Sequence, residues 1–143
     1  MYYLKTEAAF DSAHFLKDYQ GKCKNLHGHR WRVIITICSN ALKKDKQTHG
    51  MLVDFGDLKD SLKKETDILD HCLIIEKDSL KPKTKQALLE ENFHIEEVPF
   101  RPTAENFSRY FFERLKQAGF PVYEATVYET PNNCASYREN ELL

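Results

Sequence analysis

Leu26-His27-Gly28-His29-Arg30-Trp31-Arg32-Val33-Ile34-Ile35-Thr36-Ile37-Cys38 is the stretch on which the fold turns. Trp31, Val33, Ile35 and Ile37 alternate with Arg30, Arg32, Ile34, Thr36 and Cys38 in a β-branched run, so side chains sort onto two faces of a strand. A weaker run precedes it. Tyr2, Leu4, Ala8 and Phe10 recur with period two while Lys5 and Glu7 fall on the other face, which predicts a first strand over 2–10. The two strands are expected to pair antiparallel across a long loop from Asp11 to Gly28.

Downstream the period changes. Asp54 or a neighbour can open a helix whose inner side carries Phe55, Leu58, Leu62, Leu69 and the stem of Glu65, with Lys59, Lys63 and Lys64 toward water. A second helix follows Pro102 with Thr103 as a possible cap; Phe107, Tyr110, Phe111, Leu115 and Ala118 form its apolar side and Gly119 stops it. Val122 to Glu129 reads as a strand, Pro131-Asn132-Asn133 as a turn, and Cys134 to Arg138 as a short last strand. The stretch from Leu73 to Phe100 holds a possible short helix over Thr84 to Asn92, but its charges, Pro82 and Pro99 suggest an irregular excursion. The expected order is strand, strand, helix, helix, strand, strand: an α+β layer with both helices on one face of a four-stranded antiparallel sheet. The exposed edges of so small a sheet favour a ring of identical subunits.

A chain of 143 residues with net charge -1 and 41% hydrophobic residues suits one compact domain over 1–143. Its 21 basic and 22 acidic residues are interspersed, so nucleic acid is a poor candidate partner. No apolar run nears the roughly 18 residues of a membrane span, and the opening lacks the pattern of a secretory signal, so the expected compartment is the cytoplasm. Cys23, Cys38, Cys72 and Cys134 show no Cys-x-x-Cys spacing. Cys38 and Cys134 lie in apolar strand-like surroundings and are expected to be small buried thiols.

His27 and His29 stand two apart, so on an extended chain both imidazoles leave one face and can converge on one ion. His14, at the end of the first strand, supplies a third ligand if antiparallel pairing returns it beside them. Three neutral imidazoles without a fourth protein ligand fit a catalytic zinc. Cys23 is the rival fourth ligand, which would make the site structural; Asp11, His49, Asp54, Asp57 and Asp67 are less specific alternatives. Taken alone, Cys23 is as well read as a packed small side chain, and Glu129 as a solvated residue at a strand end.

Phe10-Asp11-Ser12-Ala13-His14, Cys23-Lys24-Asn25-Leu26-His27-Gly28-His29, Leu69-Asp70-His71 and Pro102-Thr103-Ala104-Glu105-Asn106 together resemble the 6-pyruvoyl-tetrahydropterin synthase and 6-carboxytetrahydropterin synthase family. Tyr128-Glu129-Thr130 and Ala135-Ser136-Tyr137-Arg138 extend the likeness over nearly the whole sequence, and the Cys-x-x-x-His-Gly-His arrangement looks most like the bacterial 6-carboxytetrahydropterin synthase branch. The resemblance implies the tunnelling fold, with sheets joined into a trimeric barrel, two trimers stacked as a homohexamer, and active sites at subunit boundaries. It implies Zn2+ on His14, His27 and His29, Cys23 as catalytic thiol, Asp70 and His71 as an acid/base pair, and Glu129 as the carboxylate that anchors the pterin.

Glu129 suits that role because a carboxylate accepts two hydrogen bonds from a ring N–H and an amino group. Thr103 and Glu105 are candidates for substrate contact or for helix capping. Lys24, Arg30, Arg32 and Arg138 are candidates for neutralising triphosphate. The implied substrate is 7,8-dihydroneopterin triphosphate. The implied products are 6-carboxy-5,6,7,8-tetrahydropterin, acetaldehyde and triphosphate, an early step of queuosine and related deazapurine biosynthesis. The close relative makes 6-pyruvoyl-tetrahydropterin from the same substrate. A noncatalytic zinc-stabilised interaction module is the reading from a different class.

Overall fold

The computed structural model describes residues 1–140. Its elements are β1 (Tyr2–His14), β2 (His27–Ser39), α1 (Phe55–Leu69), β3 (Cys72–Glu76), α2 (Pro82–Glu90), β4 (Ile95–Val98), α3 (Ala104–Gln117), β5 (Val122–Thr130) and β6 (Asn133–Tyr137), with one 3-10 turn at Lys22–Lys24. They form a six-stranded sheet in the order β4-β3-β1-β2-β5-β6. The sheet is mixed: β1/β2, β2/β5 and β5/β6 are antiparallel, whereas β1/β3 and β3/β4 are parallel.

The four-stranded antiparallel sheet with two helices in the order strand, strand, helix, helix, strand, strand is therefore corrected to a six-stranded mixed sheet with three helices. The missed elements lie where an irregular excursion was expected. Ile74 and Ile75 of β3 are both fully buried, as in a strand covered on both faces, so no apolar/polar alternation marks it. Pro82 opens α2 at its first turn, where a missing N–H costs nothing, rather than breaking structure. Two adjacent glutamates, Glu96 and Glu97, disguise β4.

One face of the sheet carries the core. Phe10 on β1, Trp31, Val33, Ile35 and Ile37 on β2, and Ala125 and Val127 on β5 meet Leu58, Leu62 and Leu69 of α1 and Phe107, Phe111 and Leu115 of α3. α1 packs on β1 and α3 on β5 and β6. The Asp54 carboxylate caps α1 by accepting from Gly56 N–H at 2.7 Å, and the Thr103 hydroxyl caps α3 by accepting from Asn106 N–H at 3.3 Å. Gly119, at φ 97°, ends α3 in a conformation that L side chains resist. Phe55 departs from expectation: it is 62% exposed, at the very start of α1.

The opposite face is polar where β1, β2, β5 and β6 run together. Arg32 pairs with Glu7 at 3.4 Å and stands 4.2 Å from the Tyr128 ring centroid, and Arg30 pairs with Asp11 at 2.9 Å. The two expected buried thiols belong to this side. Cys134 is exposed and Cys38 only half-buried, because Ala135 and Tyr137 are the β6 residues that turn to the core. Among the described residues no helix is long and apolar enough to cross a membrane.

Candidate metal centre

β1 runs four residues beyond its expected end at Phe10, and that extension builds the site. The β1/β2 register sets His14 opposite His27 and Ser12 opposite His29. By strand alternation Phe10, Ser12 and His14 share a face, as do His27, His29 and Trp31. The imidazoles thus continue the core row past Trp31. One ligand atom from each of His14, His27 and His29 lies within 4.8 Å of the others.

Hydrogen bonds orient two of the rings. His14 Nδ1 donates to the Pro102 carbonyl at 2.7 Å and His27 Nδ1 to the Asn25 carbonyl at 2.6 Å. A carbonyl oxygen only accepts, so each Nδ1 carries a proton, and a neutral ring turned this way offers its Nε2 lone pair as a ligand. Those Nε2 atoms are 3.1 Å apart. Between neutral rings, two lone pairs at that distance call for a cation. Burial, more than the neighbouring His27 and His29, pushes the His14 pKa down to about 4, and burial also lowers that of His29. His14 is then neutral at pH 7, the form that ligates. Three imidazoles, two of them oriented by carbonyls, fit zinc by donor type and by number.

The surroundings hold further unspent polar atoms. Trp31, fully buried, meets the His14 and His29 rings edge-on at 5.0 and 5.4 Å. Among the described residues, Ser12 Oγ, His29 Nε2 and Trp31 Nε1 are buried without a hydrogen-bond partner. Glu129 Oε1 lies 3.5 Å from His29 Nε2. β2 and β5 part company beyond the Arg32/Tyr128 pair, and there a cleft of about 420 Å³ is lined by Gly28, His29, Arg30, Arg32, Tyr128 and Glu129 among others.

The remaining candidates are placed as follows. Cys23 sits half-buried in the 3-10 turn. Neither it nor Asp11, His49, Asp54, Asp57 or Asp67 joins the clustered ligand atoms. Asp70 and His71 do meet: Asp70 Oδ2 is 2.9 Å from His71 Nδ1. Asp70 Oδ1 also accepts from Asp11 N–H at 2.8 Å, while His71 N–H donates to the Asp11 carbonyl at 2.6 Å. The Asp11 N–H bond is the main reason the Asp70 carboxyl lies below its ordinary pKa. His71 adopts a positive φ of 55° and its side chain is 78% exposed. Next to it, burial pushes the Cys72 thiol up to about 12, an inert group.

Thr103 is the α3 cap and Glu105 is exposed in the first turn, so the structure gives both of them a helix-terminus position. Lys24 is exposed; Arg138 is paired with Glu124 and stands 4.7 Å from the Tyr123 ring centroid. Arg30 and Arg32 reach the cleft beside Glu129. Three residues with a part here escaped the sequence reading. Trp31 was legible, two places after His29 on the same face. The Pro102 and Asn25 carbonyls left no signal, because any residue type supplies a backbone oxygen.

Residues 3–140 match the family described as 6-pyruvoyl tetrahydropterin synthase. The chain is 36% identical over 142 residues to the 6-carboxy-5,6,7,8-tetrahydropterin synthase of Haemophilus influenzae, covering 97% of this chain and 100% of the relative. It is 38% identical over 136 residues to the protein of that name from Rickettsia felis, covering 86% and 90%. Among solved structures, an uncharacterized protein of Wolinella succinogenes shares the fold with a TM-score of 0.82 at 23% identity, covering 97% and 98%. Caenorhabditis elegans 6-pyruvoyl tetrahydropterin synthase aligns with a TM-score of 0.68 at 25% identity, covering 97% and 96%.

Proposed function

The chain belongs to the 6-pyruvoyl tetrahydropterin synthase family, and on that premise we propose that it is a zinc-dependent 6-carboxy-5,6,7,8-tetrahydropterin synthase. It converts 7,8-dihydroneopterin triphosphate to 6-carboxytetrahydropterin, acetaldehyde and triphosphate, as a step toward queuosine and related deazapurines. The observation that carries the reading is the convergence of His14, His27 and His29 within 4.8 Å, with the Nδ1 protons of His14 and His27 already committed to carbonyls. The choice of the carboxy product is supported by relatives of that name that match almost end to end.

Zinc, when bound to the three imidazoles, supplies Lewis-acid polarisation of an oxygen on the propyl arm of the substrate. The protein's own groups then divide the work. The Glu129 carboxylate receives the ring N–H and the amino group of the pterin, which holds the heterocycle in the cleft between β2 and β5. Cys23, as thiolate, takes a proton from a carbon of that propyl arm. His71, held in one tautomer by Asp70, exchanges a proton with the ring during triphosphate loss and tautomerisation. Trp31 excludes water from the inner side of the imidazoles, and Arg30 and Arg32 favour the polyanionic end of the substrate. Thr103 and Glu105 border the site through the turn that supports His14.

A second reading, 6-pyruvoyl-tetrahydropterin formation, is favoured by the family's own description and by the likeness to the Caenorhabditis elegans enzyme. Incubating the zinc-loaded protein with 7,8-dihydroneopterin triphosphate separates the two. Trapped acetaldehyde with a 6-carboxy pterin is the expected result. A pyruvoyl product with no acetaldehyde transfers the protein to the sister activity, and zinc binding without turnover leaves the noncatalytic module.

A further inference from the structure

The loop that carries Cys23 is tied to the start of α3 by one side chain. Leu16 N–H donates to the Cys23 carbonyl at 2.9 Å, closing the loop at its base. Arg101 Nη2 donates to the neighbouring Lys17 carbonyl at 2.9 Å. The Arg101 guanidinium also stands 5.6 Å from the Tyr19 ring centroid, within cation–π reach. The same ring lies against Gly21, where a Cβ would come within 2.6 Å of Tyr19 Cε1. A larger residue there would have to displace the Tyr19 ring.

The Arg101 backbone is itself well fixed. Its carbonyl accepts from Thr103 N–H at 2.8 Å and from Asn106 Nδ2 at 2.9 Å, within the capping turn of α3. The next residue, Pro102, gives its carbonyl to His14 Nδ1 at 2.7 Å. Two consecutive residues at one helix start therefore reach the imidazole cluster and the thiol loop. Between Lys17 and Lys22 the loop is exposed throughout, and its 3-10 turn buries no residue. A segment with so few buried contacts opens readily unless something tethers it.

We infer that Arg101 is a positioning residue: through the Lys17 carbonyl and the Tyr19 ring it holds the Cys23 loop in fixed relation to His14, His27 and His29. The catalytic consequence rests on the proposed role of Cys23 as the base. Arg101→Ala is expected to keep full zinc content and an unchanged KM while kcat falls about ten- to a hundredfold, the scale of an ångström-sized misplacement. Exchange of the Leu16 amide hydrogen should accelerate about tenfold, and alkylation of Cys23 by iodoacetamide should quicken with it. Arg101→Lys, which keeps a cation and a donor, should restore part of both. Tyr19→Leu, which removes only the ring, should give a smaller effect in the same direction and serves if Arg101→Ala does not fold. Unchanged Leu16 exchange in Arg101→Ala overturns the inference, even if kcat falls. Loss of zinc, or a raised KM at constant kcat, overturns it as well. Wild-type protein with no turnover sinks the proposed function instead, and the Leu16 exchange still decides whether Arg101 holds the loop.

Discussion

Because the Pro102 and Asn25 carbonyls can only accept, His14 and His27 hold a proton on Nδ1 and turn their Nε2 atoms toward each other at 3.1 Å. His27→Ala should accordingly fail to retain stoichiometric zinc by metal analysis after gel filtration. Cys23→Ala should retain it and lose about 10²- to 10⁴-fold in turnover, the usual yield of a positioned acid or base; loss of metal there would make the thiol a ligand. Gly28 stands between the two β2 ligands, where a larger residue would be tight against β1. A Cβ would lie 3.2 Å from the Ser12 carbonyl oxygen, so Gly28→Ala should push β1 and β2 apart and weaken zinc binding, read by competition with a chelating dye. Asp70 gives a pH signature. Its carboxyl is held below the ordinary value by Asp11 N–H and then by His71, so the stability it contributes is complete above the unfolded pKa of about 3.9. That contribution fades as pH falls through the lower folded value. Asp70→Asn should flatten the acid limb of a denaturation-versus-pH curve below about pH 4.

At the scale of elements, α1 and α3 are joined by charge as well as by their apolar stripes. Arg114 Nε and Nη2 reach the Glu65 carboxylate at 2.9 and 3.2 Å, and Glu65 is only 8% exposed. Arg114→Met should strand that carboxylate and cost about 1–3 kcal/mol by urea unfolding, less than a fully buried pair because Arg114 is partly open to solvent. Glu65→Leu combined with Arg114→Met should recover most of the loss; a double variant as weak as the single one would show that packing, not the pair, joins the helices. The legibility of each element followed the same physics. β2, α1 and α3 each expose one face, so their periods of two and 3.6 stood out in the sequence. The last third of β1 did not, because Asp11, Ser12 and His14 are polar residues whose burial serves the site and not the core. β3 is covered on both sides and shows no period, α2 buries no residue of its own, and β4 is short. The three imidazoles could be found from spacing, while their depth and tautomers depended on two carbonyls that no side-chain pattern reveals.

At the scale of the whole molecule, the histidine cluster is complete within one subunit, but the groups proposed to work with it are not gathered around it. Asp70 and His71 are fastened to the backbone of Asp11, whose side chain leaves the sheet on the face opposite His14. Among the described residues one edge is unpaired along most of β1, since β3 meets it only at Ser12 and Ala13, and β6 ends the sheet on the far side. Tyr2, Tyr3, Met51 and Phe55 expose apolar surface around a cleft of about 460 Å³ near the free β1 edge. Unpaired edges and apolar surface of this kind favour pairing with further copies. If six copies assemble and share their sites, zinc binding and turnover should respond differently to dilution. Each subunit should hold its ion at every concentration, whereas activity per subunit should fall as sedimentation velocity reports smaller species than six times 16.8 kDa. Full activity in a monomeric species would mean that the His71 imidazole reaches the cluster without help from a neighbour.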